Sequence, residues 1–133
     1  MTPGLIFDSH ALLKFFQWES GAVGVERWLR TAQRRKWIKY LCAINLGEII
    51  YATKRQFGDQ RKIEVLGHIH RMNFTILPVP NELIYDAAEY KGEYSISYAD
   101  CFVLACAVRQ AATIVTGDLE FRKVSHLVKI HWV

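Results

Sequence analysis

The chain has 133 residues, 51% of them hydrophobic and 13% aromatic, which is enough for one buried core and too little for two ordinary domains. No apolar run reaches membrane-spanning length, the start MTPGLIFDSH lacks the basic and apolar regions of a signal peptide, and no segment is of low complexity. A single soluble, cytosolic domain over residues 1–133 is expected, and its net charge of +4 is compatible with a polyanionic partner without demonstrating one.

In chain order, Leu5, Ile6 and Phe7 form a short apolar run that predicts a first strand ending at Asp8. Residues 11–17 and 22–36 show helical periodicity, the second with Val25, Trp28, Leu29 and Ala32 on one face. A second strand is expected over 40–43. Asn45 reads as the cap of a helix with Leu46, Ile49, Ile50, Thr53 and Phe57 as its stripe and Gly58 as its end. A further helix over 59–72 precedes a β-branched strand at 75–79, and Asn81 can cap another helix through Tyr90. Ser97 opens the most apolar helix, hydrophobic nearly all round over 101–108 and therefore expected to be buried. Strands at 112–116 and 128–133 complete the chain. Short apolar strands alternating with helices predict an α/β fold in three layers, a mostly parallel sheet with helices on both faces.

The acids carry more chemistry than the bases. Asp8 stands directly after the first strand and Asp118 directly after a late one, so both project from the carboxyl edge of the sheet, where ligands bind in open α/β folds. Glu48 and Asp100 each lie three residues after a capping residue, Asn45 and Ser97. That spacing is foremost that of a capping box, yet a helix that follows a strand begins at the carboxyl edge, where a first-turn carboxylate faces the same crevice. Four carboxylates in one cleft repel one another unless a cation sits among them, and oxygen-only ligation suits Mg²⁺ or Mn²⁺ rather than zinc. Cys42, Cys101 and Cys106 lack zinc spacing and read as reduced core residues. Arg34, Arg35 and Lys36, within a basic stretch from Arg27 to Lys39, are candidates for contacts with a phosphate backbone.

With these residues in place the chain resembles PIN-domain proteins, in particular the VapC-type toxin ribonucleases of prokaryotic toxin–antitoxin pairs. The resemblance rests on LIFDSHALL at 5–13, CAINLGEIIYA at 42–52, SISYADCFVLACAV at 95–108 and IVTGDLEFRKV at 114–124, in the family's order. It implies a parallel sheet between helical layers and endonucleolytic cleavage of RNA dependent on Mg²⁺ or Mn²⁺. By motif, Asp8, Glu48, Asp100 and Asp118 match the family's acidic quartet. Ser9 and Thr116 match its flanking hydroxyl residues, and Glu120 takes the place of a second late acid. His10 matches one variant of the opening motif and is assigned no chemistry. The resemblance further implies a homodimer and a cognate antitoxin.

Two rival readings differ in class. A haloacid-dehalogenase-type phosphatase wants Asp-x-Asp, which Asp8-Ser9-His10 lacks, and a receiver domain wants a late lysine that Thr116-Gly117-Asp118 does not supply. A non-catalytic RNA-binding PIN-like domain would be expected to have lost acids, and this sequence keeps all four.

Overall fold

The structure, a computed structural model, describes residues 2–133. Five strands, β1 (Gly4–Phe7), β2 (Ile38–Cys42), β3 (Thr75–Leu77), β4 (Thr113–Thr116) and β5 (Ile130–Trp132), form one sheet in the order β3-β2-β1-β4-β5. Every pairing in it is parallel. Six α-helices connect them: α1 (Ser9–Gln17), α2 (Ala22–Arg35), α3 (Ala43–Phe57), α4 (Asp59–Arg71), α5 (Asn81–Glu93) and α6 (Tyr98–Gln110). A 3₁₀ turn at Leu119–Val124 follows β4.

The alternation of side chains along each strand builds two cores. Ile6, Tyr40, Cys42 and Ile114 point to the face covered by α5, α6 and the 3₁₀ turn. Leu5, Phe7, Leu41 and Val115 point to the face covered by α1, α2, α3 and α4. The three-layer α/β arrangement is thus the one the sequence predicts, with a sheet parallel throughout. Burial on both faces explains why β1 reads as a continuous apolar run rather than an alternating one. Helix α6 is buried over seven consecutive residues, 101–107, as its all-round apolar character requires. All three cysteines are free and buried. Among the described residues no helix is long and apolar enough to cross a membrane.

Several boundaries differ from expectation for local reasons. Helix α1 starts at Ser9 because Asp8 itself caps it, accepting from the Ala11 amide. Helix α3 starts at Ala43, so Asn45 lies inside the first turn and caps nothing. Pro80, not Asn81, precedes α5. Phe57, expected on the buried stripe of α3, is half exposed at the helix end.

The 3₁₀ turn gives the late acids a fixed support, because Phe121 and Val124 are fully buried in the α6-side core. Phe121→Ala should cost about 3–5 kcal/mol in urea denaturation. Phe57→Ala, at an exposed position, should stay within about 0.5 kcal/mol of the parent.

Candidate active site at the carboxyl edge of the sheet

Strand order turns between β1 and β4: β2 and β3 lie on one side of that junction and β5 on the other. Such a reversal opens a crevice at the carboxyl ends of the two strands. Asp8 follows β1 and Asp118 lies just past β4. Because Phe7 pairs with Val115, Asp8 comes level with Thr116. The Thr116 hydroxyl donates to Asp8 Oδ2 at 2.5 Å, and the Ala11 amide donates to Oδ1 at 2.8 Å. Asp8 is 1% exposed and has no ion-pair partner among the described residues. Burial pushes its carboxyl from 3.8 up to about 7. The Thr116 and Ala11 donors oppose that rise, and the charges of Asp100 and Asp118 add to it.

The other acids reach the same crevice from separate elements. Asp100 lies in the first turn of α6, where its amide donates to the Ser97 hydroxyl at 3.1 Å. The cap therefore uses the backbone of Asp100 and not its carboxylate. Burial first, then the charge of Asp118, raises the Asp100 carboxyl to about 6; the Ser97 contact lowers it, and Glu48 and Glu120 raise it further. Asp118 Oδ1 accepts from the Glu120 amide at 3.0 Å, and the Asp118 amide donates to Thr116 Oγ1 at 3.0 Å. One hydroxyl thus ties both strand-end acids together. Glu120 is exposed and paired with Lys123 at 2.7 Å on its own turn.

Glu48 is held from two directions. Its Oε1 accepts from Ser9 Oγ at 3.0 Å and from Asn45 Nδ2 at 2.8 Å, which links α1 to α3. Asn45 is fully buried. Its role as an orienting donor is hidden in the sequence, because Asn-x-x-Glu has the spacing of a capping box. Ser9 and Thr116 likewise hold acids remote in the chain rather than those beside which the sequence places them, since Ser9, next to Asp8, donates to Glu48, and Thr116, two residues before Asp118, donates to Asp8.

His10 lies at the rim. Burial lowers its pKa, as does Lys14, while Asp118 and Glu19 raise it. The basic cluster does not join the acids. Arg34 and Arg35 end α2, and Lys36 stands just before β2, whose first residue, Ile38, pairs with Gly4 at the amino edge of the sheet. A four-residue strand is about 13 Å long, so these side chains start a full sheet length from Asp8. Arg35 instead stacks over Trp37 at 5.4 Å.

The donor set, all carboxylate oxygens, whose neighbouring charges help raise Asp8 and Asp100, fits a hard divalent cation in chemistry and in charge. Among the described residues no three acids, histidines or cysteines stand close enough to hold an ion as they are. The carboxylates share one electrostatic field rather than one preformed coordination sphere.

The raised carboxyls make the sign of the pH dependence definite. A group whose pKa is higher in the folded than in the unfolded chain stabilises the fold below its unfolded pKa and loses that contribution as pH climbs through the folded value. In EDTA the melting temperature should therefore fall between about pH 4 and pH 7, and Asp8→Asn should flatten much of the slope in thermal melts. Thr116→Val leaves a buried carboxyl and the Asp118 amide without their shared partner. It should cost about 1–3 kcal/mol in chemical denaturation at pH 7.

The comparisons with known proteins agree with this architecture. No curated protein matches the chain in sequence. In fold it is similar to VapBC2 from Rickettsia felis, solved with a DNA fragment from the promoter, at 14% identity, 96% of this chain, 97% of that one and a TM-score of 0.78. DNA-bound VapBC from Salmonella typhimurium is similar at 14% identity, 98% of each chain and 0.78. VapC20 from Mycobacterium tuberculosis, a Sarcin-Ricin loop cleaving toxin, is similar at 13% identity, 90% of this chain, 94% of that one and 0.75. At such identities the likeness is one of fold. The PIN domain family model, in contrast, matches the sequence itself over residues 5–127, and the chain belongs to the PIN domain family.

Proposed function

We propose that this chain is a metal-dependent endoribonuclease, the toxin of a toxin–antitoxin pair, with Asp8, Asp100 and Asp118 as ligands of Mg²⁺ or Mn²⁺ and Glu48 assisting. The observation that carries the reading is the gathering of unpaired carboxylates from four elements at the β1–β4 junction, with Asp8 driven to about 7 and Asp100 to about 6. A fold bears that repulsion at a cost, and such perturbed groups in a crevice mark functional sites. Membership in the PIN domain family and the fold shared with an RNA-cleaving toxin support RNA as the substrate. The VapBC complexes support a protein antitoxin as the partner, and a cytoplasmic homodimer belongs to the same proposal.

Each residue has a definite task in this reading. Thr116 and Ala11 hold Asp8 in one orientation, so its remaining lone pairs face the crevice. Asp118, fixed by the amide of Glu120, brings a second strand-end carboxylate beside it, and Asp100 adds a third from α6. Ser9 and Asn45 both bind Oε1 of Glu48, leaving Oε2 without a protein partner among the described residues to orient the attacking water or take its proton. A divalent cation, when bound, would lower the pKa of water and offset charge on the phosphoryl oxygens. The arrangement suits in-line attack at phosphorus with departure of the 3′ oxygen.

Incubation with mixed RNA should give cleavage in Mg²⁺ or Mn²⁺ and none in EDTA. Asp8→Asn should lower the rate at least about a hundredfold with a native circular dichroism spectrum; undiminished cleavage removes Asp8 from the site. Either cation, at about a hundred times its dissociation constant, should add about 2.7 kcal/mol of stability. Asp100→Asn should shrink that gain, and a full gain in this variant would overturn the ligand assignment.

A further inference from the structure

The acidic crevice has a cation at its border that the assignment above leaves unused. Lys14 lies on α1, half buried, and its side chain follows a path bounded by two glycines. A Cβ on Gly21 would lie 3.4 Å from Lys14 Cδ, and a Cβ on Gly117 would lie 3.1 Å from Lys14 Nζ. Gly21 also has φ +99°, which favours glycine in any case, but Gly117 is not among the positive-φ residues. What Gly117 provides is room. A side chain there would meet Val133 O at 2.7 Å, the Lys14 ammonium at 3.1 Å and His10 Cε1 at 3.4 Å. The missing side chain lets an ammonium lie against the backbone one residue before Asp118.

That ammonium has no ion-pair partner among the described residues. A lysine stem on a free surface snorkels toward water, whereas this one is led between elements to the turn at 116–118. Arg34, Arg35 and Lys36, at the far edge of the sheet, cannot serve the crevice. A compact ammonium against the backbone of Gly117, next to Asp118, is suited to hold a phosphate oxygen there.

We propose that Lys14, lying against the bare backbone of Gly117, is a phosphate-binding subsite that takes a non-bridging oxygen of an RNA phosphodiester beside the acidic centre. The inference rests on RNA as the substrate. It assigns the local positive charge of the site to α1 rather than to the basic stretch of α2.

The test compares the wild type with Lys14→Gln and Lys14→Arg. Binding of a fluorescein-labelled, mixed-sequence single-stranded RNA is measured in EDTA across a KCl series, and cleavage kinetics are measured in Mn²⁺. Lys14→Gln should weaken binding about tenfold, raise KM in step, and lower the slope of log K against log salt by about 0.7. Lys14→Arg should keep the slope, and the Mn²⁺-induced rise in melting temperature should be unchanged in both variants. Unaltered binding and slope in Lys14→Gln would overturn the subsite. So would a loss confined to kcat, or one accompanied by a diminished Mn²⁺ response, since either points to support of the acids rather than contact with RNA. Wild-type protein that cleaves RNA with no dependence on Lys14 removes the subsite and leaves the nuclease standing. Wild-type protein that binds RNA through Lys14 without cleaving it does the reverse, and protein that neither binds nor cleaves removes both.

Discussion

A carboxylate almost wholly removed from water, at the point where two neighbouring parallel strands end, is the constraint around which this molecule is arranged. Among the described residues Asp8 has no ion-pair partner. Two hydrogen bonds hold it instead, one from the backbone of the helix it caps and one from Thr116 on the adjacent strand. Those bonds favour the charged form, burial and the neighbouring acids disfavour it, and burial wins. A fold pays for such a group only where something outside the chain can repay it, and here a metal ion is that proposed outside party.

Everything near Asp8 serves to keep other carboxylates in place without neutralising them. The hydroxyl of Thr116 joins the ends of β1 and β4 by donating to one acid and accepting from the backbone of the next. Ser97 caps α6 by accepting from the amide of Asp100, and its pull on the Asp100 carboxyl is outweighed by burial and by the charge of Asp118. Asn45 and Ser9 converge on one oxygen of Glu48. Neutral donors orient these acids, and the nearest ion pair, between Lys123 and Glu120, is confined to the exposed turn beyond them. Support of this kind fixes geometry while leaving the charge of the crevice to be balanced by whatever enters it.

The two helical layers contribute unequally. Helix α6 is buried from Cys101 to Ala107, directly after the first turn that carries Asp100. On the other face, α1 carries Asp8's cap at its start and Lys14 further along, and the residues around Gly21 and Gly117 bring that lysine back over the turn before Asp118. The basic residues of α2, by contrast, lie toward the amino edge of the sheet.

Much of this could be read without coordinates. The apolar runs at 5–7 and 112–116, the all-round apolar helix at 101–108 and the helix periods between them determined a parallel sheet between helical layers, because burial on both faces forces that pattern. The order of strand, acid and helix placed Asp8 and Asp118 at one edge for the same reason. Sequence alone left undecided which oxygens are held and by what. Asn45 reads as a cap, and only the start of α3 at Ala43 puts it inside the first turn as a buried donor to Glu48. Arg34, Arg35 and Lys36 are candidates for phosphate contacts by their clustering, and only the pairing of Ile38 with Gly4 shows that they start from the amino edge of the sheet. Lys14 showed no signal, since its nearness to Gly117 joins residues more than a hundred positions apart. Local pattern is a property of neighbours along the chain, whereas the balance of charge in the crevice depends on contacts that exist only once the sheet has closed its register.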